Sequence, residues 1–235
     1  MDERPDIEQN EVDLAVSAWA VTLGYMPAIG PIVAELLRSV IPNQRHDRIA
    51  DFLRILDDKL SSLEDDFLKE KMRTEEFIDL FEDGAYQAAR ALTNERKERI
   101  AALLKNSLTD EDLTHVQQKT LLSLLGELND VELLLLKFEV LSTTDPMAAQ
   151  EFFEKHEDAL RTPLVFSGSP EEDADRHALH ETYRNKLRRL GLLRATYKKP
   201  KKGQLPEFDE KTGMMKAGSN RATSLGRLLL RYVEA

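Results

Sequence analysis

Cysteine is absent from this 235-residue chain. Disulfide bridges and thiolate metal centres are therefore excluded, and the absence fits a reducing compartment such as the cytoplasm. Glycine and proline are scarce, at 10 and 9 residues. With Leu, Glu, Lys, Ala, Arg and Asp dominating the rest, that scarcity favours a mainly helical protein. Aromatic residues make up only 6%, with one tryptophan, Trp19. The opening residues "MDERPDIEQNEVD" are acidic and lack the basic region of a secretory signal. No glycine-rich phosphate loop and no nucleophile elbow occurs. The stretch "GYMPAIGP" has glycines, but its prolines remove the amides that would cradle a phosphate.

What the chain does have is charge, unevenly spread. The formal net charge of −10 conceals +10 on residues 182–235, where 14 Lys and Arg face 4 Asp and Glu, and hence −20 on the preceding 181 residues. A basic end attracts anionic partners; equally, it can dock on the acidic body of its own chain. The charge pattern does not separate the two.

Leu14 to Ala34 is a run of 21 residues without a charge, long enough to cross a bilayer as one helix. Gly24, Pro27, Gly30 and Pro31 interrupt it, which favours two short apolar helices joined by a bend. In lipid such interruptions leave backbone groups unsatisfied. The simpler reading of segment 14–34 is a buried hairpin with Trp19, Tyr25, Ile29 and Ile32 in the core. A membrane-seeking or partner-seeking segment is the alternative.

From Asn43, Ile49, Leu53, Leu56, Leu60, Leu63 and Phe67 recur at alternating steps of four and three, which predicts one long helix to about Met72. Thr74 opens the next helix, Thr93 another, and Thr109 with Asp112 a further one through Val116, Leu121, Leu122 and Leu125. Short joints between amphipathic segments imply an antiparallel bundle over residues 1–127. Beyond Leu128 the pattern changes. Asn129 or Asp130 caps a helix, Pro146 sits at a first helical position, and Ser169 with Pro170 starts a helix stopped by Gly191. A strand ("LLRATYK"), a polar loop, a return strand around Met214 to Ala217 and a final helix from Thr223 to Val233 follow. The fold class expected is mainly α: a helical bundle, then an α+β module over 128–235 with a small β-hairpin.

Little in the sequence looks like catalysis. His177 and His180 share a helical face with Asp173 one turn before, but two imidazoles without a third ligand make a wet helix surface the simpler reading. The polar run "NQRHDR", residues 43–48, caps a helix and reaches into solvent. No metal, cofactor or catalytic residue is expected.

The step "LRRLGLL", a long basic loop and "ATSLGRLLLRYV" resemble the end of bacterial winged-helix domains, where a recognition helix, a wing and a closing helix follow in that order. The layout as a whole resembles uncharacterised bacterial helical proteins with a C-terminal winged helix, the abortive-infection alpha group among them. That resemblance implies a role in phage defence. The helix before the wing begins with Glu171, Glu172, Asp173 and Asp175 and carries Glu181, and carboxylates there oppose phosphate. Its later residues Arg184, Lys186, Arg188 and Arg189, and Lys198, Lys199, Lys201 and Lys202 in the wing, are the candidate contacts for an anionic partner. The expectation is a non-enzymatic, cytoplasmic binding or regulatory protein that contacts a protein partner through this module. A membrane-acting effector and a DNA-binding regulator are the alternatives, and the oligomeric state is open.

Overall fold

The computed structural model describes residues 44–110, 112–197 and 217–234, with Pro200, Leu205, Glu207 and Phe208 between the last two stretches. Trp19, Tyr25, Ile29, Ile32 and all of segment 14–34 lie outside the described residues, as do Lys198, Lys199, Lys201 and Lys202. The described residues are mainly helical, with a small two-stranded antiparallel sheet. The chain divides into two compact units: one runs to Glu127 and includes Arg231 onwards, and the other is Leu128–Leu230.

The first unit contains α1 (Gln44–Leu60), α2 (Asp65–Lys71), α3 (Glu75–Arg90), α4 (Asn94–Thr109) and α5 (His115–Glu127). Ile49, Leu53, Leu56 and Leu60 are buried as their spacing predicts. The single long helix to Met72 is not formed. The hydroxyls of Ser61 and Ser62 donate to the carbonyls of Asp58 and Lys59 at 2.7 and 3.4 Å. Such local bonds compete with helix propagation, and the chain turns before α2 begins.

Phe52 and Phe81 meet at 6.4 Å between ring centroids, and Phe77 stands 6.4 Å from Phe81. The α3 face of Gly84, Ala85, Ala88 and Ala89 is buried, and its small side chains let α4 approach. A Cβ at Gly84 would already lie 3.3 Å from Leu104 Cδ1. Thr74 and Thr93 cap α3 and α4, accepting from the amides of Phe77 and Arg96, both at 3.3 Å. Thr109 does not cap the next helix. It closes α4 by bonding back to Lys105 and Asn106, and α5 is entered instead through Thr114, whose amide donates to Gln117 Oε1 at 2.8 Å.

The second unit contains α6 (Asp130–Thr144), α7 (Pro146–Lys155), the short α8 (Glu157–Leu160), α9 (Glu171–Arg189), β1 (Leu193–Tyr197), β2 (Ala217–Ala222) and most of α10 (Ser224–Val233). A capping box starts α6: Asn129 Oδ1 accepts from Glu132 N, and Glu132 Oε2 accepts from Asn129 N, each at 2.8 Å. Ser169 does not cap α9. Its hydroxyl accepts from Phe166 N at 2.8 Å, and the helix begins one residue later than expected, behind Pro170.

At its other end α9 closes in a Schellman turn. Gly191 takes φ 72°, its amide donates to Arg188 O, and the amide of Leu192 donates to Leu187 O, both at 3.0 Å. The chain then enters β1, which pairs antiparallel with β2. The described return strand is Ala217–Ala222; it includes Ala217 of the expected Met214 to Ala217, whose other residues lie outside the described ones, and its pairing sets Leu193 opposite Ala222 and buries both. Thr223 joins the two ends of the hairpin. Its hydroxyl donates to Gly191 O at 2.7 Å and accepts from Gly226 N at 3.1 Å, capping α10.

Candidate interaction surface

The hairpin determines which basic side chains are available. In β1 and β2 alternate residues point to opposite faces. Leu193 and Ala222 turn inward, so their neighbours Arg194 and Arg221 turn outward, directly across from each other. Both are exposed, and neither has an ion pair among the described residues. The outer face continues with Thr196 and Ser219, whose hydroxyls lie 2.6 Å apart. Two like charges placed opposite on a strand pair are locally unfavourable.

The helix-borne cations nominated from the sequence are placed differently from one another. Lys186 Nζ lies 2.8 Å from Oε2 of Glu132, a buried carboxylate, and so ties the end of α9 to the start of α6. Arg184 is half-buried, 3.5 Å from Glu181. It also faces Glu139, whose carboxyl is pushed above its ordinary range by burial, with the Arg184 charge opposing. Arg188 donates to Asn185 Oδ1 at 2.6 Å and to Asn220 Oδ1 at 3.4 Å, bracing the hairpin against the helix. Arg189 is exposed without an ion pair among the described residues. The structure does not gather these four into one free patch.

Arg194 and Arg221 were not singled out by their sequence surroundings. Strand alternation after the buried Leu193 would have turned Arg194 outward, but only the register brings Arg221 opposite it.

The histidine face of α9 is not wet throughout. His180 is 7% exposed, with Nδ1 3.4 Å from Thr162 Oγ1, and His177 Nδ1 lies 3.0 Å from Pro163 O. Residues following α8 fold onto this face and cover it. Burial first, and the Arg184 charge second, hold His180 below its ordinary pKa. Among the described residues no group of three or more His, Cys, Asp or Glu could hold a metal ion.

A second polar cluster lies in the first unit. Asp79 Oδ2 is 2.8 Å from His115 Nε2 and 2.7 Å from Lys119 Nζ, and Lys119 also reaches Asp83 Oδ2 at 2.9 Å. The hydrogen bonds from Lys119 and then His115 hold Asp79 below the usual carboxylate range. The arrangement is an ionic latch between α3 and α5. Among the described residues no helix is long and apolar enough to cross a membrane. Comparison with family models, curated proteins and solved structures finds no match to the chain.

Proposed function

We propose that this is a non-enzymatic binding protein, that its second unit is a winged-helix-like module, and that the outward face of the hairpin contacts an acidic protein surface. The order α9, β1, β2, α10 and the clasp of Thr223 on Gly191 support the winged-helix reading. The observation that carries the binding reading is the exposed Arg194–Arg221 pair. A protein of net charge −10 sets two guanidinium groups opposite each other, and among the described residues neither pairs with a carboxylate. An external anion relieves that repulsion, and the planar, forked guanidinium suits carboxylates. A protein partner is favoured over DNA because Glu171, Glu172 and Asp175 are exposed on the helix preceding the hairpin, where they repel phosphates. Regulation within the cytoplasm, in the phage-defence setting that the resemblance implies, is the biological role we propose.

The test compares full-length chain with Arg194→Glu/Arg221→Glu in two assays, capture of a purified acidic partner and band shift of a short duplex. Capture lost in the double variant, without a duplex shift by either chain, supports the reading. A salt-sensitive duplex shift abolished by the same substitutions replaces it with a DNA regulator.

A further inference from the structure

Between α8 and α9 three consecutive apolar side chains face solvent: Leu164 is 78% exposed, Val165 40% and Phe166 71%. The segment bearing them is pinned at both ends. His177 and His180 hold Pro163 and Thr162 against α9. At the tip, Ser169 Oγ accepts from Phe166 N at 2.8 Å and Ser169 N donates to Phe166 O at 3.1 Å. Gly168, at φ 97°, supplies the left-handed residue that this turn needs. An apolar group already held in place loses little conformational freedom on binding, which favours a contact role.

The flanking charge indicates what such a contact accepts. Directly after the loop come Glu171 and Asp175, exposed and without an ion pair among the described residues; Glu172 and Asp173 share Arg176 at 3.2 and 3.3 Å. A matching surface needs cations beside a group that an aromatic ring can cover. Guanidinium groups provide both, since they stack on aromatic faces and pair with carboxylates.

This chain carries such a surface on its own hairpin. We infer that the Leu164–Phe166 loop of one copy docks on the Arg194–Arg221 face of a second copy, with Phe166 against the guanidinium groups and Glu171 and Asp175 neutralising them. The inference rests on the reading of the arginine pair as the contact surface and names its partner. Within one copy Phe166 is tied to Ser169 ahead of α9, whereas the hairpin follows the other end of that helix, whose 19 residues extend about 28 Å. The contact is therefore made between copies. It is head-to-tail, so each copy offers a loop and a hairpin, and pairs can extend into rings or chains.

Sedimentation equilibrium of the full chain at low salt, over rising concentration, tests this. The mass of the unaltered protein should climb above the 26.8 kDa of one chain. Phe166→Ser, Arg194→Glu/Arg221→Glu and Glu171→Lys/Asp175→Lys should each weaken association about tenfold or more. All three sites are exposed, and circular dichroism of each variant verifies its fold. An equimolar mixture of the two charge-reversed chains should restore pairing, because the reversed loop of one meets the reversed hairpin of the other. An unaltered chain that stays at monomer mass throughout overturns self-docking. If Arg194→Glu/Arg221→Glu still abolishes capture of a separate acidic partner in that case, the hairpin reading stands alone. Association lost with Phe166→Ser but indifferent to the arginine reversal overturns the docking geometry and shifts the contact away from the hairpin.

Discussion

Removing the Glu132 side chain should destabilise the second unit by about 2–4 kcal/mol. The residue is 1% exposed, and Oε2 accepts from both Asn129 N and Lys186 Nζ, each at 2.8 Å. Glu132→Ala deletes the reciprocal half of the capping box, a loss of about 1 kcal/mol. It also leaves Lys186 facing a site that had a carboxylate; breaking a buried pair costs about 3–5 kcal/mol when the remaining charge is trapped. Lys186 keeps 25% of its side chain in solvent and can swing its ammonium outward, which brings the combined figure down to the stated range. Urea unfolding followed by circular dichroism should show the transition of that unit moving down by about 1.5 M. Glu132→Gln, which retains an acceptor for Asn129, should cost about half as much. Lys186→Met should also destabilise, since it leaves the buried carboxylate without its cation, whereas Glu132→Gln with Lys186→Met should lose less than the sum of the single changes. A Glu132→Ala protein within about 0.5 kcal/mol of the parent, or strictly additive single changes, would refute this account of the α6–α9 junction.

Gly226 should tolerate no side chain: its Cβ would stand 2.5 Å from the carbonyl oxygen of Leu192 and 3.1 Å from Leu136 Cδ1. Gly226→Ala should cost about 2 kcal/mol or more, read by thermal unfolding, and a neutral result would mean that α10 does not pass as close to the Leu192 carbonyl as described. His180, held low by burial and by Arg184, stays unprotonated when folded at a pH where the unfolded chain takes up a proton. Its contribution to stability is therefore present above the ordinary value of 6.5, falls as pH drops through it, and levels off below the folded pKa. His180→Gln should flatten that slope in urea titrations from about pH 7.5 down to about pH 5, and an unchanged slope would assign the dependence elsewhere. Arg221→Glu places a carboxylate opposite Arg194 and should stabilise the hairpin by about 0.5 kcal/mol while weakening partner binding. Lower stability with intact binding would contradict the role given to the pair.

The local sequence determined the features whose physics is local. Thr74, Thr93 and Asn129 cap helices because a side-chain oxygen needs only an amide three residues on. Asp145 precedes Pro146 in the same way, accepting from Met147 and Ala148. Gly191 ends α9 because a left-handed turn favours a residue without Cβ. The abundance of helix formers and the scarcity of glycine and proline likewise made a mainly helical chain legible. The tertiary structure decided where groups distant in sequence come together. The apolar spacing ran through Ser61, so it did not mark where α1 ends. Thr109 with Asp112 was expected to start α5, but Thr109 bonds back into α4 and the helix is entered through Thr114. His180 looked solvated until the residues after α8 folded over it. Lys186 looked available until Glu132, 54 residues away, took its charge. Arg194 and Arg221 became neighbours only when strand register set them opposite each other. A cap or a turn is closed by neighbours along the chain, whereas burial, ion pairing and cross-strand contact depend on which distant segments share a face after packing.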